Sequence, residues 1–124
     1  MEIVLTDREA DVMAILWERG PSTVAQVREH LADPLAYTTV LTVLRILEDK
    51  GYATHEEEGR AHRYSATIAR DVARRSALQA LSQKFFQGST ELLFSHLVSD
   101  AKLSDAEVRR IRRLLSRRSR KKSS

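Results

Sequence analysis

A chain of 124 residues, 42% hydrophobic and 31% charged, is sized for one compact domain with an appendage and can support a modest core. The absence of cysteine excludes disulfides, thiolate metal sites and cysteine nucleophiles together, and suits a reducing cytoplasm. The net charge of +4 divides unevenly, with 7 Lys/Arg against 12 Asp/Glu in residues 1–66 (net −5) and 14 against 5 in residues 67–124 (net +9).

The first helix is predicted at Thr6. Thr6 and Glu9 have capping-box spacing, in which the hydroxyl accepts from a first-turn N–H and the carboxylate accepts from the capping residue's own N–H. Val12, Ile15, Leu16 and Trp17 recur at helical spacing until Gly20-Pro21 stops the run. Ser22 or Thr23 caps a shorter second helix with Val24, Val27 and Leu31 inward, and Asp33-Pro34 ends it. A third helix is predicted from about Ala36 to Lys50, closed by Gly51. Its buried stripe is Val40, Val43, Leu44 and Leu47, which leaves Thr38, Thr42, Arg45 and Asp49 on the opposite face. Tyr52–Glu56 and Ala61–Ser65, separated by a segment containing Gly59, read as a β-hairpin.

Three more helices are expected, at about Ile68–Phe86, Thr90–Val98 and Ser104–Arg117, the last with a second capping box at Ser104 and Glu107. The stretch around Thr90–Val98 is apolar around most of its circumference, which a lone surface helix does not tolerate in water. A second copy of the chain is the economical cover. The expected two-fold interface draws on Leu81, Phe85, Leu92, Leu93, Phe94, Leu97, Val108, Ile111 and Leu115. The expected class is thus mainly α with a small β-hairpin wing. A winged helix-turn-helix domain occupies residues 1–66, a helical dimerisation domain 67–117, and a disordered basic tail 118–124.

The stretches AYTTVLTVLRILEDKGY (Ala36 to Tyr52) and EEEGRAHRYS (Glu56 to Ser65) closely resemble the BlaI/MecI penicillinase-repressor family, as does the opening LTDREADVMAILWERGPSTVAQVREHL. The resemblance implies a cytoplasmic, homodimeric repressor that binds a palindromic operator through its winged helices. It further implies control of β-lactam resistance or related stress genes, and relief by a regulatory protease that cuts the C-terminal half. The family's cut falls at an Asn-Phe pair, whereas alignment through Leu103-Ser104 puts His96-Leu97 there. The cysteine-rich tail of the related copper-responsive repressors is missing, which excludes that sensing chemistry.

A helix that enters the major groove needs polar, reachable side chains near its N-terminal end. Tyr37, Thr38, Thr39, Thr42 and Arg45 supply them on the third helix, and Arg60 and Arg63 on the hairpin can reach phosphates or the minor groove. The acids of the first two helices can face away from DNA, but Glu56–Glu58 sit beside the wing, so weak non-specific binding is expected. Winged helices also serve as protein–protein interaction modules, and a reading of that kind expects an apolar or mixed face on the third helix. His55, Glu56 and His62 bracket the hairpin. Alternation puts His55 and Glu56 on opposite faces and no further ligand is evident, so no metal is expected. No nucleophile–base pair, paired carboxylates or glycine-rich phosphate loop is present, so neither enzymatic activity nor a cofactor is expected.

Overall fold

In the computed structural model, residues 2–123 are described, with side chains to residue 119. The elements run α1 (Asp7–Arg19), β1 (Ser22–Thr23), α2 (Val24–His30), α3 (Tyr37–Asp49), β2 (Ala53–Glu58), β3 (Ala61–Ala66), α4 (Arg70–Phe86), α5 (Thr90–Asp100) and α6 (Asp105–Ser123). They form two compact units, Met1–Ala80 and Leu81–Ser124. The first unit therefore takes in the start of α4, beyond the hairpin end at residue 66 where the sequence suggests a boundary. Ala73 belongs to its buried core, and the Ser76 hydroxyl accepts the Ile3 N–H at 2.8 Å.

Capping chemistry sets the helix starts. The Glu9 N–H donates to the Thr6 hydroxyl at 3.2 Å and the Thr6 N–H to the Glu9 carboxylate at 2.7 Å, which completes the expected capping box. Thr23, rather than Ser22, caps α2, in a second box with Gln26 that has no acidic residue. Ser22 and Thr23 also form β1, an element the sequence does not announce because it is two residues long and overlaps the cap. It pairs antiparallel with β3, giving the sheet order β1-β3-β2.

The core of the first unit is built from the predicted stripes. Val12, Met13, Leu16, Val27, Val40, Leu44 and Leu47 are buried, with Tyr64 of β3 as the largest fully enclosed side chain. Each buried aliphatic or aromatic side chain of this size contributes about 1.5–3 kcal/mol. The hairpin exit is tied to α1 by Trp17 Nε1 donating to the Ile68 carbonyl at 2.9 Å. Arg70 adds a cation over the Trp17 ring and donates to the Ala14 carbonyl.

One charged group lies inside this core. Glu9 is buried, and besides its capping bond it accepts from Lys50 Nζ at 2.9 Å, just past the end of α3. Lys50 also donates to the Val4 carbonyl, and the Val4 N–H donates to the Tyr52 hydroxyl. Burial raises the Glu9 carboxyl's affinity for a proton, but hydrogen bonds from Thr6 and Lys50 and the Lys50 charge outweigh it and hold its pKa below the usual value.

In the second unit, Ser89 caps α5 and the Ser104–Glu107 box opens α6 as expected. The turn after α4 places both Gln87 and Gly88 at positive φ. α6 continues to Ser123, where the sequence predicts a helix end near Arg117 and a disordered tail over 118–124. Arg and Lys are good helix formers, and cations near a helix C-terminus oppose its negative dipole end. Ser124 lies outside the described residues.

Glu9→Gln should cost about 2 kcal/mol of stability at neutral pH, measured by urea denaturation, because Lys50 and the Thr6 N–H are left without a charged acceptor. A carboxylate whose pKa is depressed on folding stabilises above its unfolded pKa and loses that contribution as pH falls through the folded one. The gap between wild type and variant should therefore close on acidification through and below the ordinary carboxylate range.

Candidate nucleic-acid interface

α3 presents the face that its periodicity predicts. Tyr37, Thr38, Thr42, Arg45 and Asp49 are exposed, joined by Ile46 as an apolar member the periodicity does not single out, and Thr39 is half-buried, above the buried row of Val40, Val43, Leu44 and Leu47. The Thr42 hydroxyl donates to the Thr38 carbonyl one turn back at 2.8 Å, which leaves its methyl group and oxygen lone pairs outward. Ala36 caps this helix without a side-chain hydrogen bond. The Thr39 N–H turns back to the Ala36 carbonyl at 3.1 Å, which leaves the N–H groups of Tyr37 and Thr38 to face an external acceptor such as a phosphate oxygen.

The C-terminal half of α3 is joined to the hairpin. His55 on β2 bonds Glu48 of α3 through Nδ1 at 2.6 Å. The His55 ring stacks on His62 of β3 at 4.6 Å and lies 5.2 Å from the Tyr64 ring. Burial and the nearby Glu48 charge raise the Tyr64 phenol pKa, while the Arg45 charge pulls it part of the way back. No group of three or more His, Asp or Glu among the described residues is arranged to hold a metal ion.

β2 and β3 pair in register from Ala53↔Ala66 to Glu58↔Ala61, leaving Gly59 and Arg60 as a two-residue turn. Gly59 has φ +63 at the first turn position, as a type II′ hairpin requires. Arg60 is exposed at the tip and, among the described residues, makes no hydrogen bond or ion pair. Arg63 is placed differently. It is half-buried on the central strand, and its guanidinium bonds Glu58, the Pro21 carbonyl and Gln26. The structure thus brings Tyr37, Thr38, Thr42, Arg45 and Arg60 to solvent and turns Arg63 toward the protein. Spacing gives no sign of the Glu48–His55 bond or of Arg63's partners, since each joins residues of different elements.

The penicillinase repressor family model matches residues 5–117. The chain belongs to the penicillinase repressor family. It is 38% identical over 110 residues to the transcriptional regulator BlaI of Mycobacterium tuberculosis, a match covering 86% of this chain and 80% of that protein. Among solved structures, a MarR family protein from Bacillus stearothermophilus superposes with a TM-score of 0.56 at 15% identity, covering 98% of this chain and 78% of that one. A transcriptional regulator from Thermotoga maritima gives 0.53 at 19% identity, covering 96% and 80%. These two likenesses establish the winged-helix fold, and the family establishes a DNA-binding transcriptional repressor.

The second unit of the repressor leaves much apolar surface uncovered. Leu81, Phe85, Leu92, Phe94, Leu97 and Leu115, all expected at an interface, are exposed, as are Val98 and Leu114. Val108 and Ile111 are half-buried. Leu93 is buried within the single chain, so it serves the fold before any partner arrives.

Gly59→Ala should lower stability by about 1 kcal/mol in thermal melts, through positive φ alone, because a Cβ there meets nothing within 4 Å. Arg60→Ala should leave the melting temperature unchanged.

Proposed function

We propose that the repressor binds a palindromic operator as a homodimer, reading bases with α3 and following the backbone with the hairpin wing. The observation that carries this reading is the solvent-facing polar face of α3 beside a wing tip whose arginine is uncommitted. Thr38, Thr39 and Thr42 offer hydroxyls to phosphates or bases and methyl groups to thymine, Arg45 suits a guanine edge or a phosphate, and Tyr37 suits the backbone. Arg60 suits a phosphate or the minor groove. The apolar side chains left open on α4, α5 and α6 support pairing with a second copy, and two-fold symmetry suits an operator dyad.

The regulated genes, by family and by likeness to BlaI, are those of β-lactam resistance or a related stress response. A cytoplasmic location follows from the DNA partner, and no described helix is long and apolar enough to cross a membrane. A regulatory protease acting on the C-terminal half, as the family resemblance implies, meets His96-Leu97 where the family has Asn-Phe and so must recognise a different pair here. The bond lies inside α5, so the helix must open before a protease can take the strand in extended form.

Fluorescence anisotropy with the DNA upstream of the repressor's own gene tests the reading. Saturable binding that resists scrambled competitor and disappears in Thr38→Ala/Thr42→Ala/Arg45→Ala is expected, and binding equal to that of scrambled DNA would overturn it. Sedimentation should give twice the chain mass of 14.1 kDa. Phe85→Glu/Leu97→Glu should shift the repressor to monomer and weaken operator binding with it, because both side chains are exposed and neither supports the single chain's core.

A further inference from the structure

We propose that Arg63 is the positioning residue of the wing, and that it fixes the hairpin against the helix-turn-helix instead of contacting DNA. This rests on the operator-binding reading above. Arg63 lies on the central strand, opposite Thr23 of β1 and Glu56 of β2. Its side chain gathers acceptors from three separate places. Nε donates to the Glu58 carboxylate at 2.6 Å, and Nη1 donates to the Pro21 carbonyl at 3.2 Å and to Gln26 Oε1 at 3.4 Å. Gln26 Oε1 is the same oxygen that accepts the Thr23 N–H in the capping box of α2. One amide oxygen therefore closes the start of α2 and anchors the wing.

A lone exposed ion pair would not carry this weight. Glu58 is 66% exposed, and such pairs contribute little. Two further acceptors change the balance, one of them a main-chain carbonyl that cannot swing away. A rigid guanidinium fork also gives up less freedom per bond than a lysine would. To reach a phosphate, Arg63 must give up all three partners. Arg60, at the turn tip, gives up none.

The opposite face of the hairpin is held as well. Alternation places Glu56, Glu58 and Arg63 on one face and His55, Glu57, His62 and Tyr64 on the other. The second face is tied to α3 through His55 and Glu48. The wing is thus clamped to α2 on one side and to α3 on the other, and Arg63 is the α2 clamp.

Two measurements on the full chain test this. In the free protein, Arg63→Ala should speed hydrogen exchange of the Glu57–Ala61 amides about fivefold, and Arg60→Ala should not change it. On operator DNA across a salt series, Arg60→Ala should flatten the logarithmic salt slope by about 0.9 for each phosphate no longer neutralised. Arg63→Ala should weaken operator binding about fivefold with the slope unchanged and the melting temperature lowered by a few degrees, and Arg63→Lys should not restore the affinity. Unaltered exchange in Arg63→Ala overturns the proposal whether or not an operator is found. A slope flattened as in Arg60→Ala, with affinity restored by Arg63→Lys, also overturns it by making Arg63 a phosphate ligand. Absence of operator preference in the wild type, with the exchange result intact, counts against the operator reading and leaves the clamp standing.

Discussion

The geometry of the first unit depends on one buried carboxylate. Glu9 is the only acidic side chain buried among the described residues, and a charge there is costly unless its hydrogen bonds are complete. The Thr6 N–H and the Lys50 ammonium satisfy it from two directions. The first belongs to the cap that begins α1 and the second comes from the residue that ends α3, so one side chain ties the two helices together. Lys50 and Tyr52 then draw the Val4 backbone into the same corner. The exposed face of α3 keeps its position because the helix is held in this way.

The hairpin continues the same logic with polar groups nearer the surface. Its core anchor is Tyr64, enclosed below, and its margins are polar bonds to the two helices on either side. A two-stranded hairpin is marginal on its own in water. β1 adds a third strand, and Thr67 closes the base by donating to the Gly51 carbonyl at 2.6 Å. What emerges is an exposed helix face and a wing tip carried on supports that the protein supplies by itself.

Most of this architecture is legible in the sequence because its signals are local. Capping boxes at Thr6 and Ser104, the stripe of Val40, Val43, Leu44 and Leu47, and the glycine of the hairpin turn each act within a few residues, so periodicity and spacing report them. Legibility ends where distant segments meet. β1 is too short to show alternation, and the Glu9–Lys50 pair spans 41 positions. Arg63 looks like another wing cation in the sequence because its three acceptors come from β2, the turn after α1 and α2. Leu93 looks like the other apolar residues of α5, since composition alone does not tell which side of a nearly all-apolar helix the chain itself covers. The end of the first unit is hidden for the same reason: Ser76 and Ala73 of α4 close it through contacts remote in sequence.

Three glutamates, Glu56 to Glu58, stand exposed along β2 on the approach to the wing tip. Bulk chromosomal DNA competes for a regulator almost wholly through its phosphates, and it offers about a million or more sites for each true one. Acids beside the wing penalise every such encounter alike, while base-edge contacts are formed only on the matching site. The matching site carries the same phosphates and meets the same penalty, so the acids lower affinity overall while the preference for one site over bulk DNA is left to base-edge contacts.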